Sequence, residues 1–314
     1  MSNLNLAIIG YGNMGKVHSK SLRKNHLCNE PIIIDSNPDI RKEISGLDYF
    51  KSVQGIPDEK FKNLDGAIIS SPSLNHLEQA KLFINQGIPV LVEKPLTDNL
   101  QDSLELITLA KKNNVLMKCG LIELHNPVVE EISNIKFEKI HFVQFKRHSP
   151  KTVASRKLEN IVLDLTVHDI SILLKVFKPE KIDIIGSELI YENEIAESVQ
   201  VLLKVDDSFT IFLSSSRQDQ EKIRTLEIVN NKSSYFCDLK NKLYEIKRSG
   251  ISSIDSKNIT ETNLLDKIDM LDKPETADIQ LESFLTSIRN KQVDNSHLDI
   301  VERTHLLAYE ILRS

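Results

Sequence analysis

Short apolar runs alternate with helical stretches over the first 120 residues of the chain. The runs are rich in aliphatic side chains and are predicted as strands at Leu6–Ile9, Pro31–Asp35, Gly66–Ser70, Val90–Glu93 and Val115–Cys119. The stretches between them are predicted as helices at Gly15–Lys24, His76–Gln86 and Gln101–Asn113. Strands that alternate with helices form a parallel sheet covered on both faces, so the pattern predicts a doubly wound α/β sheet.

The pattern changes after about residue 120, where strands follow one another without intervening helices. These strands are predicted at Ile140–Arg147, Ile182–Leu189, Ser198–Val205, Phe209–Ser215, Thr225–Val229 and Ser234–Leu239. Helices are predicted at Asn160–Phe177, Thr276–Asn290 and Asp299–Leu312, and the polar stretch Ser249–Asn263 is predicted as a loop. The pattern indicates an α+β domain on a large, mostly antiparallel open sheet. We therefore expect domains at 1–120 and 121–314, with closing helices that can pack back on the first domain.

Composition narrows the class of protein. The net charge of −5 over 314 residues argues against a nucleic-acid-binding surface. Cys28, Cys119 and Cys237 lie far apart and no pair has metal-ligand spacing, which predicts reduced thiols and no metal site. The first apolar run is too short for a signal peptide, and no later segment reaches membrane-spanning length. We expect a soluble, cytoplasmic protein without nucleic-acid or membrane partners.

A glycine-rich turn follows the first predicted strand and opens the first helix. Its glycines are Gly10, Gly12 and Gly15, which permit a tight turn, close approach of a pyrophosphate, and helix-to-strand packing. Asp35 lies 20 residues after Gly15, at the end of the second strand, where an acid binds a ribose 2′-hydroxyl. The alternative interpretation is an ordinary turn and a surface aspartate. With strand, turn and acid together, the sequence predicts a Rossmann domain that binds NAD, and NADP less well because Asp35 repels a 2′-phosphate.

Four segments resemble the Gfo/Idh/MocA family of oxidoreductases in order and spacing. They are Gly10–Gly15, Ser71–His76, Glu93–Pro95 and Asp164–Asp169. The resemblance implies a dehydrogenase that oxidises a secondary hydroxyl of a sugar, with Lys94, Asp164 and His168 as its catalytic residues. It also implies a cis peptide bond before Pro95. The cofactor-binding residues expected from the motifs are Gly10, Gly12, Asn13, Met14, Gly15, Asp35, Ser70, Ser71, Pro72, His76, Glu93 and Lys94.

Lys94 follows a predicted parallel strand at its carboxyl end, where ligands bind in open α/β sheets. A lysine there can donate a hydrogen bond to a substrate oxygen and stabilise developing negative charge. An isolated Lys-Pro would more simply be a solvated lysine beside a turn. The resemblance favours the catalytic interpretation.

Asp164 and His168 lie four residues apart, on one face of a predicted, largely apolar helix. A carboxylate and an imidazole on such a helix need partners. For a single histidine, a satisfied core residue is the simpler interpretation. The resemblance implies instead that His168 accepts the hydroxyl proton, since imidazole titrates near neutral pH, and that Asp164 contacts the sugar and supports protonated His168. Asp169 is expected to be structural or to form part of the pocket.

The segment from Gly120 to Pro127 bears on the choice of substrate. This segment, Arg147–Pro150 and Arg156 resemble members that oxidise nucleotide-activated (UDP) amino sugars at C3, although Leu124-His125 replaces the Arg-Phe usual there. The expected substrate-binding residues are Lys94, Glu123, Asn126, Arg156, Asp164 and His168. Basic side chains that could bind a diphosphate are Lys146, Arg147, Lys151, Arg156 and Lys157. A solvated edge strand with ordinary surface charges explains them equally well.

Two other functions stay open at this point. One is a dehydrogenase of free polyols or monosaccharides, such as inositol or glucose. The other is a non-catalytic, NAD-sensing regulatory protein. The alternating strands of the second domain, such as Val199–Val205 and Phe209–Leu213, place apolar residues on both sheet faces, so we expect a homodimer or homotetramer formed through this sheet.

Overall fold

The chain folds into two compact units in a computed structural model that describes residues 3–44, 46–151, 160–255 and 258–314. The first unit comprises residues 1–122 and 275–306, and the second comprises 123–274 and 307–314. The cofactor motifs therefore lie in the first unit, and Asp164 and His168 lie in the second. Within the described residues, no helix is both long and apolar enough to cross a bilayer.

A six-stranded sheet in the order β3-β2-β1-β4-β5-β6 forms the centre of the first unit. Its strands are all parallel: β1 Leu6–Ile9, β2 Ile32–Ile34, β3 Tyr49–Phe50, β4 Gly66–Ile69, β5 Val90–Val92 and β6 Met117–Cys119. The helices of this part are α1 Asn13–Lys24, α2 Asp58–Lys62, α3 His76–Ile84 and α4 Leu100–Asn113. The predicted doubly wound sheet is confirmed. The sequence missed β3 and α2 because a two-residue strand and a five-residue helix are too short to show periodicity.

The core of the first unit is completed by a helix from far along the chain. Helix α7, Thr276–Arg289, contributes Leu281, Phe284 and Leu285 to the same buried cluster as Leu6 and Ile8 of β1. Phe284 is fully buried. Helix α8, Ser296–Ile311, follows it.

An eight-stranded sheet in the order β14-β13-β12-β11-β7-β10-β9-β8 forms the centre of the second unit. Its strands are β7 Ile140–His148, β8 Ile182–Glu192, β9 Ile195–Val205, β10 Phe209–Ser216, β11 Ile223–Asn230, β12 Ser233–Asp238, β13 Leu243–Asp255 and β14 Asn258–Asp269. Strands β7 and β10 pair in parallel and the other pairs are antiparallel. Helices α5 Pro127–Ser133 and α6 Val167–Phe177 complete the α+β architecture. The predicted large, mostly antiparallel sheet is confirmed.

The loop predicted at Ser249–Asn263 is wrong. Residues 249–255 lie in β13 and residues 258–263 lie in β14, which pair antiparallel at the edge of the sheet, whereas residues 256 and 257 lie outside the described residues. Backbone hydrogen bonds between the two strands form whatever the polarity of the side chains. The polar composition therefore concealed a strand pair in which Ile and Thr recur.

Two local features also differ from expectation. The helix predicted from Asn160 begins with a π-helical turn at Val162–Thr166 before α6. Strand β7, which carries Lys146 and Arg147, lies between β11 and β10, so the interpretation as an edge strand is wrong. The π turn is notable because such insertions into α-helices frequently occur at functional sites.

Candidate active site

The glycine turn joins β1 to α1 with geometry that only glycine allows at two positions. Gly10 has φ of 89°, in the left-handed region. A Cβ built at Gly15 would lie 2.1 Å from the carbonyl oxygen of Gly10, and one at Gly10 would lie 2.5 Å from the amide nitrogen of Ser71. At Gly12 a Cβ would meet no atom within 4 Å. A side chain therefore has no room at Gly10 or Gly15, whereas the space above Gly12, where its Cβ would lie, is open.

The open space above Gly12 suits an anion. Gly12 is the N-cap of α1, Asn13 and Met14 form its first turn, and this turn contains no acidic residue. The free N–H groups and positive dipole end of a helix favour a phosphate at such a position. The residues present thus fit the pyrophosphate of a dinucleotide.

Substitution of the glycines should separate packing from cofactor binding. Gly15→Ala is expected to destabilise the protein by about 1–3 kcal/mol because its methyl group overlaps the Gly10 carbonyl. Gly12→Ala is expected to leave the melting temperature unchanged but to weaken NADH binding, because its methyl group enters the open space. Thermal melting and NADH fluorescence titration measure the two effects. Equal NADH affinity in wild type and Gly12→Ala would contradict the assignment.

Asp35 lies directly after β2 and faces the glycine turn. Its Oδ2 accepts a hydrogen bond from the Tyr11 amide at 2.7 Å, and its Oδ1 accepts one from the Asn37 amide at 2.8 Å. Each carboxylate oxygen can accept a further hydrogen bond. The two amides therefore fix the carboxylate and leave it able to accept a hydrogen bond from a ribose hydroxyl.

A cleft of about 590 Å³ in the first unit brings several predicted cofactor residues together. Gly10, Asp35, Ser71 and Pro72 all line it. This volume lies within the range of about 300–1,000 Å³ that small-molecule sites occupy. Its other lining residues, which the sequence analysis missed, are Ile9, Ile34, Ser36, Lys51, Ser52, Val53, Gln54, Asn75, Glu78, Gln79 and Leu82. The segment from Lys51 to Gln54 follows the short strand β3, and no recognisable motif marks it.

The loop after β4 is tied to its neighbours by side-chain hydrogen bonds. The Ser70 hydroxyl donates to the Gly10 carbonyl at 2.8 Å, and the Ser71 hydroxyl donates to Oε1 of Gln79 at 2.6 Å. His76 is 1% exposed, and its Nε2 lies 2.8 Å from the Ser71 carbonyl oxygen. Ser70 and His76 thus hold the loops that line the cleft.

The segment Glu93–Lys94–Pro95 follows β5, at the carboxyl end of the parallel sheet. The Lys94–Pro95 peptide bond is cis, which confirms the expectation from the sequence. Glu93 is 6% exposed, and its Oε1 lies 2.7 Å from Nε2 of His18. Lys94 is half-buried. Glu93 is held within the fold, and Lys94 lies where a ligand binds in such sheets.

Asp164 lies in the π-helical turn and pairs with an arginine that the sequence analysis did not identify. Its Oδ2 accepts a hydrogen bond from Nη2 of Arg217 at 2.8 Å. Arg217 is 3% exposed and also reaches Oε2 of Glu197 at 3.4 Å. Asp164 keeps 24% of its side chain exposed, and His168, in the first turn of α6, is 8% exposed. Asp164 is thus held by a buried cation while remaining accessible.

Glu123 and Asn126, expected to bind substrate, are engaged inside the second unit. Glu123 is 2% exposed, and its Oε1 accepts hydrogen bonds from Arg147 at 2.9 Å and Arg224 at 3.0 Å. Asn126 donates to Glu123 and to the Leu239 carbonyl, and its Oδ1 caps α5 by accepting from the Val128 amide. Both side chains therefore serve the packing of the unit.

Arg147 lies between two carboxylates in the interior. It is 1% exposed and donates to Glu123 and, at 2.8 Å, to Oδ1 of Asp169. Burial raises the pKa of Asp169 to about 6, against the lowering effect of Arg147. The pKa of Glu123 is lowered by Arg147 and Arg224 against the raising effect of burial. The expectation that Asp169 is structural agrees with this geometry.

The basic side chains considered for a diphosphate do not form one surface among the described residues. Arg147 is buried, and Lys151 pairs with Glu192 at 2.6 Å. Arg156 and Lys157 lie outside the described residues. In the part of the chain that the structure describes, no group of His, Cys, Asp and Glu is arranged to hold a metal ion.

The strand order, the glycine turn and the acid after β2 together define a dinucleotide-binding domain of the Rossmann type. The oxidoreductase family model GFO_IDH_MocA, NAD-binding Rossmann fold, matches residues 4–121. The chain is therefore similar to this family in its N-terminal part, residues 4–121.

Relatives with named activities resemble the chain over parts of different length. UDP-N-acetylglucosamine 3-dehydrogenase of Acidithiobacillus ferrooxidans is 20% identical over 73% of this chain and 72% of its own. Its solved structure has a TM-score of 0.83 at 19% identity and covers 100% of this chain and 98% of that one, which establishes the shared fold. Inositol 2-dehydrogenase of Rhizobium meliloti is 20% identical over 67% of this chain and 68% of its own. The NADP-dependent scyllo-inositol 2-dehydrogenase IolU of Bacillus subtilis is 45% identical, but over only 17% of this chain and 16% of its own.

Proposed function

We propose that the protein oxidises a secondary hydroxyl of a sugar with NAD, and that the sugar is a nucleotide-linked (UDP) amino sugar oxidised at C3. The observation that carries this proposal is the glycine turn, open above Gly12, on the same sheet that presents Lys94 after β5. Lys94, Asp164 and His168 are proposed as the catalytic residues.

The chemistry divides between cofactor and protein. NAD, which the glycine turn and Asp35 would hold, would supply the acceptor for the hydride of the carbinol carbon. His168 accepts the hydroxyl proton, which balances the oxidation of the alcohol to a carbonyl. Lys94 donates a hydrogen bond to the reacting oxygen and stabilises the negative charge that develops there. Asp164, fixed by Arg217, binds the sugar and stabilises protonated His168.

The substrate class rests on the likeness to UDP-N-acetylglucosamine 3-dehydrogenase. A free polyol is the second candidate, and the likeness to inositol 2-dehydrogenase favours it. The burial of Arg147 favours it too, because a buried arginine is not available to bind a diphosphate. The deciding experiment follows NADH absorbance with NAD and a panel of UDP-sugars, free sugars and inositols. Turnover of free inositols or sugars alone supports the second candidate. Tight NADH binding without turnover of any of these compounds would support a regulatory protein instead.

The preference for NAD is proposed from the carboxylate of Asp35 in the cleft. A carboxylate repels a 2′-phosphate, so wild type should turn over NAD with higher kcat/KM than NADP. Asp35→Ser should reduce this preference by about tenfold or more, which corresponds to the free energy that one hydrogen bond to a charged group contributes. Lys51 lines the same cleft and could pair with a 2′-phosphate, so Lys51→Ala is the matched control. Higher kcat/KM with NADP in wild type, lost in Lys51→Ala, would contradict the proposal.

A homodimer or homotetramer is proposed through the open face of the second sheet. On β9, Val201 and Leu203 are fully buried, whereas Leu202 between them is 38% exposed. Leu202 is paired in register with Phe212, and Phe142 and Phe236 on the same face are 38% and 36% exposed. Light scattering at micromolar concentration should give a multiple of 35.7 kDa, and Leu202→Glu should give the monomer. A monomeric wild type would contradict this proposal.

A further inference from the structure

Three buried histidines from three helices converge on the segment Glu93–Leu96. His18 of α1, His76 of α3 and His305 of α8 are 1%, 1% and 0% exposed. All three belong to the first unit. Each lies within hydrogen-bond distance of an atom of this four-residue segment, which contains Lys94.

His305 has a defined tautomer. Its Nδ1 lies 2.8 Å from the Val301 carbonyl oxygen, and its Nε2 lies 3.2 Å from the Leu96 amide nitrogen. A carbonyl can only accept a hydrogen bond and an amide N–H can only donate one. The ring is therefore neutral, with its proton on Nδ1 and a lone pair on Nε2 that receives the Leu96 N–H.

His76 and His18 hold the segment from two other sides. Nδ1 of His76 lies 3.1 Å from the Pro95 carbonyl oxygen and 3.2 Å from that of Leu96, while its Nε2 reaches the loop that lines the cleft. Nε2 of His18 lies 2.7 Å from Oε1 of Glu93. The residues on both sides of Lys94 are thus anchored to the interior through imidazole rings.

We propose that His18, His76 and His305 are positioning residues that fix the backbone of Lys94 so that its ammonium group is held at the reacting oxygen. This proposal rests on the catalytic role proposed for Lys94. The three rings act through the segment and do not themselves touch the substrate. His305 contributes only while neutral, because protonation of Nε2 would replace its lone pair with a second N–H facing the Leu96 N–H.

The pKa shifts of His305 and His76 agree with this arrangement. Burial lowers the pKa of His305 below its ordinary 6.5, so the ring stays neutral through neutral pH, and the Val301 carbonyl opposes this shift. Burial also lowers the pKa of His76, while the Ser71, Leu96 and Pro95 carbonyls and the Glu93 carboxylate raise it. A ring with a lowered pKa stabilises the fold above its unfolded pKa, and this contribution is lost as pH falls through the folded pKa. The positioning should therefore weaken in acid.

The test compares His305→Gln with His305→Leu. The Gln Oε1 can accept from the Leu96 N–H, whereas Leu leaves that buried donor without an acceptor. The first readout is the rate at which acetic anhydride acetylates Lys94, measured by peptide mass spectrometry, with Lys81 of α3 as internal reference. We expect His305→Leu to change this relative rate by about tenfold and His305→Gln to restore it. Nitrogen-15 NMR of the rings should show the Nδ1–H tautomer at His305.

Three outcomes overturn the proposal: an unchanged Lys94 rate in both His305 variants, equal changes in both, or an Nε2–H tautomer. If His305→Leu does not fold, the pair His76→Gln and His76→Leu gives the same comparison, since the Gln amide can donate to the Ser71 or Pro95 carbonyl. Lys94→Ala separates this proposal from the function. If Lys94→Ala retains turnover, the catalytic role of Lys94 fails. If it loses turnover while the histidine variants leave Lys94 acetylation unchanged, only the positioning role fails.

Discussion

Lys94→Ala is expected to lower turnover by about 10²–10³-fold, the effect typical of removing one donor that stabilises a developing oxyanion. Lys94 follows β5 in the anchored segment, whereas the dinucleotide is expected at the glycine turn and the cleft beside Asp35. NADH affinity should therefore fall far less than turnover, by no more than the one cofactor contact expected of Lys94. The measurement is NADH formation with the substrate found in the panel, together with NADH fluorescence titration.

The matched control for Lys94 is Lys81, a lysine of the same unit that forms ion pairs with Glu78 and Glu105 on the surface. Lys81→Ala should leave turnover within about twofold of wild type, as expected for a surface ion pair. Lys94→Arg retains the charge but replaces a compact ammonium group with a planar guanidinium, so it should restore little activity. Full turnover in Lys94→Ala would refute the catalytic assignment.

Arg147→Met is expected to cost about 3–5 kcal/mol of unfolding free energy, the largest stability effect among these predictions. The arginine lies between Glu123 and Asp169, and all three residues are at most 2% exposed. Its removal leaves two carboxylates in the interior, although Arg224 still contacts Glu123. Urea unfolding of wild type and variant gives the difference.

The pH dependence of this loss has a defined sign. Burial holds the folded pKa of Asp169 at about 6, above its ordinary 3.8, so this carboxyl destabilises the fold as pH rises through that range. A protonated carboxyl needs no cation, and the cost of Arg147→Met should therefore be larger at pH 8 than at pH 5. Arg248→Met, which breaks the exposed pair with Asp266, should cost at most about 1 kcal/mol at either pH. Equal losses of unfolding free energy in the two variants would show that the buried ion pairs of Arg147 stabilise the fold no more than an exposed pair does.

The elements that could be predicted from the sequence are those marked by a regular pattern of apolar residues or by glycine. The parallel strands of the first unit carry continuous apolar runs because both faces of their sheet are buried, and the glycine turn is fixed by steric limits at Gly10 and Gly15. The hairpin of β13 and β14 was missed because backbone pairing at a sheet edge requires no apolar pattern.

The partners of the site residues could not be predicted in the same way. Arg147 is 24 residues from Glu123 and 22 from Asp169, and Arg217 is 53 from Asp164. No local rule joins residues at such separations, so the sequence indicates a surface cation at Arg147, where the charge is in fact satisfied inside. The contact of His305 could not be predicted either. Its ring accepts a hydrogen bond from the Leu96 amide, which lies 209 residues earlier in the chain.

The contribution of α7 to the first unit has a consequence for synthesis of the chain. A ribosome makes the six strands of the first sheet before the segment that covers Leu6 and Ile8 with Phe284. Until residues 275–306 emerge, this apolar surface of the nascent first unit stays uncovered while residues 123–274 of the second unit are translated. Such surfaces favour aggregation and chaperone binding. A premature stop near residue 274 would therefore yield an incomplete dinucleotide-binding unit, even though every cofactor motif had been translated.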